Sequence, residues 1–189
     1  AADLLKHKKI AIVIGHGIFQ QKNALHTLGA ILNLSLITGS LGTPGAGLFV
    51  LAKENNQPGA MDMGAAPELR PGRLPLGEDA IRKQWEKNWK TTISPDPGLN
   101  MVRIIEAAEN GSLKALYIMG ENPLRALPES GRVKKALGQL EFLVVQDILN
   151  TETTQIADIV LPGAAISEKK GSLTNLEGRI QTFEAVVSP

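Results

Sequence analysis

Three short runs of strand-forming residues, Ala115 to Met119, Phe142 to Val145 and Ala157 to Pro162, constrain this chain most, because segments of another periodicity alternate with them. Before the first run, Val102, Ile105 and Ala108 recur at helical spacing between Asn100 and Asn110, and a second helix is expected around Gly131 to Leu140, before the second run. Strands joined through helices pair in parallel, since a parallel pair needs a crossover of a dozen or more residues. The crossovers are right-handed, and an α/β fold follows.

The ends of these runs carry the polar chemistry. The first stops at Gly120-Glu-Asn-Pro. Gly120 lets another group approach the backbone, Glu121 and Asn122 supply polar arms, and Pro123 suits the first turn of a helix. Such a loop can present amide groups to a phosphate. The second run ends in Gln146-Asp147, at the carboxyl edge of a strand, where open α/β sheets bind ligands. An aspartate there can accept two hydrogen bonds from the N1 and N2 edge of a guanine. The alternative is that Gln146, Asp147 and Thr151 only cap a loop and the helix expected to start at Thr151-Glu-Thr.

Toward the amino terminus, Ile10 to Ile14 reads as a strand and Gly15-His16-Gly17 as the turn after it, with Gln20 at the start of the next helix. Leu25, Leu28, Ile31, Leu32 and Leu36 then keep helical spacing from Asn23 to Ile37, closing at Gly39. Gly42, Pro44, Gly45 and Gly47 make a tight turn. From Leu48 to about Asn100 the sequence is proline-dense and poor in periodic apolar residues, so an extended connection with one short helix is expected. That helix is Glu78 to Trp89, with Ile81, Trp85 and Trp89 on one face as surface anchors. The division is 1–50, the end of one Rossmann-like domain; 51–99, the connection; and 100–189, a second Rossmann-like α/β unit.

Composition excludes several function classes. Twenty basic and 19 acidic residues give a net charge of +1, and they are interspersed, which indicates neither nucleic acid nor an anionic membrane as partner. No apolar run approaches the roughly 20 residues of a membrane span, so direct membrane insertion is not expected. The polar Ala1 to Lys9 segment does not resemble a secretion signal, and Lys6-His-Lys-Lys reads as a solvated helix end. His7, His16 and His26 lack metal-ligand spacing, and no nucleophile elbow, zinc-helix or phosphate-loop Gly-Lys-Ser motif occurs. Glu168, Lys169 and Lys170 read as an exposed ion cluster. No catalytic or metal-ligating residue is assigned.

In order and spacing, Gly120-Glu-Asn-Pro, Val145-Gln-Asp-Ile with Thr151-Glu-Thr, Ala157-Asp-Ile-Val-Leu-Pro, and Glu168 before Gly171-Ser-Leu-Thr-Asn-Leu-Glu-Gly-Arg-Ile-Gln resemble the molybdopterin oxidoreductase superfamily. Ile12-Val-Ile-Gly-His-Gly, Leu36-Ile-Thr-Gly-Ser-Leu-Gly-Thr-Pro-Gly-Ala-Gly and Asn55-Asn-Gln-Pro-Gly-Ala-Met-Asp-Met-Gly extend the likeness over nearly the whole sequence. It is similar to the middle of formate dehydrogenase catalytic subunits and of the related large subunit of bacterial NADH-quinone oxidoreductase. The resemblance implies a fragment of a larger multidomain subunit, to which a start at Ala1 is suited. Its fold would be a Rossmann-like parallel sheet with flanking helices, and its partners the remainder of the parent subunit and other redox subunits. It further implies a molybdopterin guanine dinucleotide bearing molybdenum or tungsten in the parent, held here through Gly15, His16, Gly17, Gln20, Gly120, Glu121, Asn122, Pro123, Gln146, Asp147, Thr151 and Asp158. With no cysteine, this chain offers no thiolate to an iron-sulfur cluster or to molybdenum, so iron-sulfur clusters of the parent would lie outside it.

One departure bears on substrate. Formate dehydrogenases commonly carry Arg-Gly-Gln before the Asn-Asn pair, and here the sequence is Ala52-Lys53-Glu54. An alanine removes a bidentate cation suited to formate, and Lys53 is a point charge one residue along. The expectation therefore leans to an electron-transfer subunit like the large subunit of NADH-quinone oxidoreductase, with the fold kept as a scaffold, cytoplasmic or peripheral to the inner membrane through its partners. The alternatives are the cofactor-binding region of a formate dehydrogenase-like enzyme, and a stand-alone nucleotide-binding module. As an isolated piece the protein is expected to be inactive.

Overall fold

The computed structural model describes residues 3–7, 9–51 and 53–189. Ala52 and Lys8 thus lie outside the described residues. The protein forms two compact units, Ala1–Asp62 with Ser172–Gln181, and Met63–Gly171 with Thr182–Pro189. The seam at Asp62 falls inside the connection drawn from composition.

In the first unit, β1 (Ala11–Ile14) leads into a 3-10 helix, His16–Gln20, and then α1 (Ala24–Ile37). Gln20 therefore ends a 3-10 turn instead of starting the long helix, which waits for Asn23 as its N-cap residue. At the other end Gly39, at φ +62°, closes α1 in a Schellman arrangement. Its N–H reaches the Leu36 carbonyl and the Ser40 N–H reaches that of Ser35, both at 3.0 Å. The helix is apolar around most of its circumference, and Leu25 (84% exposed), Leu36 and Ile37 stand in solvent. Helices of that character normally have apolar neighbours on every side.

The backbone returns as β2 (Gly47–Val50), parallel to β1, with Ala11 opposite Gly47 and Ile14 opposite Val50. This strand lies where the connection was expected to begin. Four residues carry too little periodicity to announce a strand, and pairing with β1 is what makes them one. A six-residue helix, α2 (Gln57–Asp62), follows, so the stretch holds more regular structure than a single short helix. The Asn56 side-chain oxygen just before it accepts from the Thr174 N–H at 2.9 Å.

The second unit starts with a two-residue antiparallel pair, β3 (Leu69–Arg70) and β4 (Leu74–Pro75). Arg70 is buried, and its guanidinium donates to the carbonyls of Pro75 and Leu76 at 3.0 and 2.6 Å. The expected tryptophan helix is α3 (Asp79–Trp89), with Trp85 and Trp89 ring centroids 4.8 Å apart. Next comes α4 (Met101–Glu109), capped by Asn100, whose Oδ1 accepts from the Arg103 N–H at 3.0 Å.

The remainder is the alternating segment: β5 (Ala115–Met119), α5 (Pro123–Ala126), α6 (Ser130–Leu137), β6 (Phe142–Asp147) and β7 (Ile159–Pro162). The three strands form one parallel sheet in the order β5-β6-β7. A strand's side chains alternate between faces, and here one face supplies the core. Ile118, Leu143 and Val145 meet Ile105 and Ala108 of α4, Leu124 of α5, and Val133, Ala136 and Leu137 of α6. The other face leaves Tyr117, Met119, Phe142, Ile159 and Leu161 exposed. Across the two helices, Arg132 Nε and Nη2 clamp both carboxylate oxygens of Glu109 at 2.7 Å each. Val102, which by its spacing would share a face with Ile105 and Ala108, is 61% exposed, while Ala107 is buried instead. The two residues share a helix, but packing against α6 selects the face one step round. Finally, β8 (Gly171–Thr174) and β9 (Ile180–Phe183) form a two-stranded sheet, of which Ser172–Gln181 belong to the first unit.

Truncating Leu137→Ala should therefore lower unfolding stability by about 2–5 kcal/mol, whereas Val102→Ala should stay within about 0.5 kcal/mol. Chemical denaturation of both variants checks the assignment, and equal costs would contradict it.

Candidate functional site at the carboxyl edge of the parallel sheet

The carboxyl ends of β5, β6 and β7 open onto a cavity of about 630 Å³, lined among others by Gly120, Glu121, Asn122, Gln146, Asp147 and Thr151. Its size falls in the usual range for small-molecule sites. The ladder that builds it continues past the strands. Gly120 N–H donates to the Gln146 carbonyl and Gly163 N–H to that of Asp147, both at 2.8 Å. Gly120 sits at φ +65°, where a side chain would be strained. At Gly163 a Cβ would press to 3.2 Å from the Asp147 carbonyl carbon. Small residues here let two loops fold across the strand ends.

Asn122 holds those loops together. Its Oδ1 accepts from the Thr153 hydroxyl at 2.6 Å, and its Nδ2 donates to Glu152 Oε2 at 2.7 Å. Thr153 is fully buried, and its oxygen in turn receives the Leu124 N–H at 3.5 Å. Pro123, buried, sets the first turn of α5. The hydrogen bond from Asn122, a bond from its own backbone and the charge of Arg125 hold the Glu152 carboxyl below the ordinary glutamate range. Thr151 and Thr154 exchange bonds, 2.8 Å from the Thr151 N–H to Thr154 Oγ1 and 3.3 Å in return. The helix expected there is a 3-10 turn, Thr154–Ile156.

Asp147 Oδ1 accepts from the Leu149 N–H at 3.1 Å, which holds the carboxylate on the cavity wall with its second oxygen not engaged by that bond. Gln146 is held by its neighbour Tyr117, whose hydroxyl donates to Gln146 Oε1. Asp158 lies elsewhere: at the amino end of β7 its Oδ2 accepts from the Leu143 N–H at 2.7 Å, pinning two strands together. Gly15, His16, Gly17 and Gln20 sit together after β1 in the first unit, with the His16 and Phe19 rings 5.8 Å apart.

Arg125 and Lys169 also line the cavity and place two cations on a wall that carries Glu121 and Asp147. Neither was legible as a site residue, and Lys169 had read as one of an exposed ion cluster. Its neighbour Glu168 is occupied by the Ala165 N–H at 2.8 Å, which turns the segment across the sheet end. Among the described residues no group of three or more His, Cys, Asp or Glu side chains could hold a metal. Nor is any described helix long and apolar enough to cross a membrane.

A carboxyl-edge cavity of this kind has the size and position of a small-molecule site but does not by itself identify a ligand. Comparison with known proteins does identify the family: the molybdopterin oxidoreductase model matches residues 1–189. The chain belongs to the molybdopterin oxidoreductase family. It is 43% identical over 96% of its length to the F420-dependent formate dehydrogenase subunit alpha of Methanocaldococcus jannaschii, covering 27% of that protein. It is 36% identical over 96% of its length to formate dehydrogenase H of Escherichia coli, covering 26%. To the NADPH-Fe(3+) oxidoreductase subunit alpha of Geobacter sulfurreducens it is 36% identical over its whole length, covering 22%. The sequence thus spans about a quarter of the length of these relatives. Family membership implies a molybdopterin cofactor. The cavity suits the phosphate-bearing part of such a molecule, with Arg125 and Lys169 as cations and polar side chains at the strand ends.

Because the Asn122 amide is engaged at both ends, Thr153→Val should leave its Oδ1 without a donor and cost about 1–3 kcal/mol. Thermal unfolding measures this, and no change would remove the lock. Glu152 adds a pH dependence of known sign. Its contribution is complete above the ordinary glutamate value of 4.5 and declines as pH falls through the lowered folded value. Glu152→Gln should flatten that acid limb.

Proposed function

We propose that this protein supplies the nucleotide-cradling region of the large subunit of a formate dehydrogenase-type molybdopterin oxidoreductase, and that it holds the guanine end of a molybdopterin guanine dinucleotide. The observation that carries this reading is Asp147, fixed by the Leu149 N–H on the wall of the cavity with one carboxylate oxygen left over. A carboxylate there accepts the adjacent pair of N–H donors on the N1 and N2 edge of guanine, where adenine has an acceptor at N1 and no amino group at C2. Arg125 and Lys169 receive phosphate, and Gly120, Glu121, Asn122, Pro123 and Thr151 shape and brace the loops around it. In the other unit, Gly15, His16, Gly17 and Gln20 form a second candidate contact region, whereas Asp158 serves strand pairing.

When bound, a molybdopterin supplies a molybdenum or tungsten centre that exchanges electrons with a substrate. The residues described here bind and orient its nucleotide. Iron-sulfur clusters and the metal's thiolate or selenolate ligand belong, in this reading, to the rest of the parent subunit, and electrons leave through partner subunits. Exposed apolar side chains on α1 and on the open face of the β5-β6-β7 sheet support a larger parent, since such surface needs cover.

The lean toward the large subunit of NADH-quinone oxidoreductase gives way to formate dehydrogenase as first reading, because the relatives named above include formate dehydrogenases at 36% and 43% identity. The quinone-reductase subunit, with the fold as a scaffold and no pterin bound, remains the second reading through one feature: Lys53-Glu54 stands where the formate pattern has Gly-Gln, and Ala52 where it has arginine.

Elemental analysis and fluorescence of the oxidised pterin, on the full-length protein, separate the two. Near-stoichiometric molybdenum or tungsten with pterin, lost at least tenfold in Asp147→Ala, is the expected result. Intact iron-sulfur clusters with neither metal nor pterin would establish the scaffold reading instead.

A further inference from the structure

The Tyr117 hydroxyl makes a side-chain hydrogen bond that strand packing does not require. Tyr117 lies on the open face of the sheet, 51% exposed, and does not line the carboxyl-edge cavity. Its ring pairs with Val144 across the ladder, and its hydroxyl reaches diagonally along β6 to donate to Gln146 Oε1. Gln146 does line the cavity, and its backbone is held on both sides, by β7 and by the Gly120 N–H at 2.8 Å. With the backbone fixed and Oε1 engaged by a residue that does not line the cavity, the amide terminus that remains is Nε2. It has no partner among the described residues.

We infer that Tyr117 is a positioning residue that sets base selectivity, holding the Gln146 amide so that its NH2 is the group offered to the cavity whose wall also carries Asp147. The inference rests on the guanine reading above and deepens it. A carboxylate and an amide NH2 together present acceptor and donor. That pattern complements a purine with a ring N–H and an adjacent carbonyl, the 6-oxopurines guanine and hypoxanthine. Adenine carries an amino group where the carbonyl would be and meets a donor with a donor. The phenol makes the choice firm because its O–H is a better donor than its ring-depleted oxygen is an acceptor, so it captures the carbonyl end of the amide. Without it the amide is free to rotate by half a turn and present its oxygen, which accepts from the adenine amino group.

The test uses the full-length protein purified free of pterin and titrated calorimetrically with GDP, IDP and ADP. The wild type should favour GDP and IDP over ADP. Tyr117→Phe keeps the ring on the sheet and removes only the hydroxyl. It should lower both the GDP:ADP and IDP:ADP affinity ratios about five- to tenfold, the equivalent of one hydrogen bond, with ADP affinity unchanged or raised. A wild type without oxopurine preference would overturn the guanine reading and this inference with it. A wild-type preference that survives unchanged in Tyr117→Phe would overturn the role of Tyr117 alone, as would an equal loss for all three nucleotides, which marks a merely structural residue. Gln146→Glu provides an independent arm should Tyr117→Phe fail to fold. It puts an acceptor in place of the NH2 and should shift the preference toward ADP, and retention of the wild-type preference would overturn the inference.

Discussion

Parallel pairing of β6 with β5 on one side and β7 on the other is the constraint on which the second unit depends. Because all three strands run the same way, their carboxyl ends reach one edge, and every connection must leave that edge and return across a face. The face covered by α4, α5 and α6 became the core, with Val145 and Ala136 fully buried at its centre. The edge became a cavity, lined by the residues that follow β5, β6 and β7. Fold and site are consequences of the same register.

Chemistry at that edge is divided between residues that can meet a ligand and residues that hold the loops. Asn122 belongs to the second kind, with both ends of its amide committed to Thr153 and Glu152. Asp147 and Gln146 belong to the first, each with one polar atom engaged by the protein and one remaining. The distinction follows from hydrogen-bond inventory: a polar side chain engaged at both ends serves as a brace, and one with an oxygen or an NH2 still unengaged at a cavity wall is available for a further bond.

Much of this was legible in the amino-acid order itself. Asn100 and Asn110 bound α4 as expected, Gly39 ends α1, and the runs at Ala115, Phe142 and Ile159 are the three strands of the sheet. The family followed from motif order, and the match over residues 1–189 agrees with it. What escaped has a common cause. The short strand at Gly47–Val50 and the pair at Leu69–Arg70 and Leu74–Pro75 have too few residues to show a period, and only their partners define them. Lys169 looked like one charge among several until the turn made by Ala165 and Glu168 brought it to the cavity. Val102 and Ala107 differ only in which helix face α6 covers.

The sequence by itself determined the α/β alternation, the parallel sense of the sheet and the polar residues at its carboxyl edge, because periodicity, turn chemistry and crossover length are properties of neighbouring residues. Tertiary structure alone decided which of those polar residues brace and which remain available, and that Tyr117 reaches Gln146. Those outcomes depend on hydrogen bonds between residues about 30 positions apart. No local pattern encodes them, since each becomes possible only when strand register has brought the two side chains together.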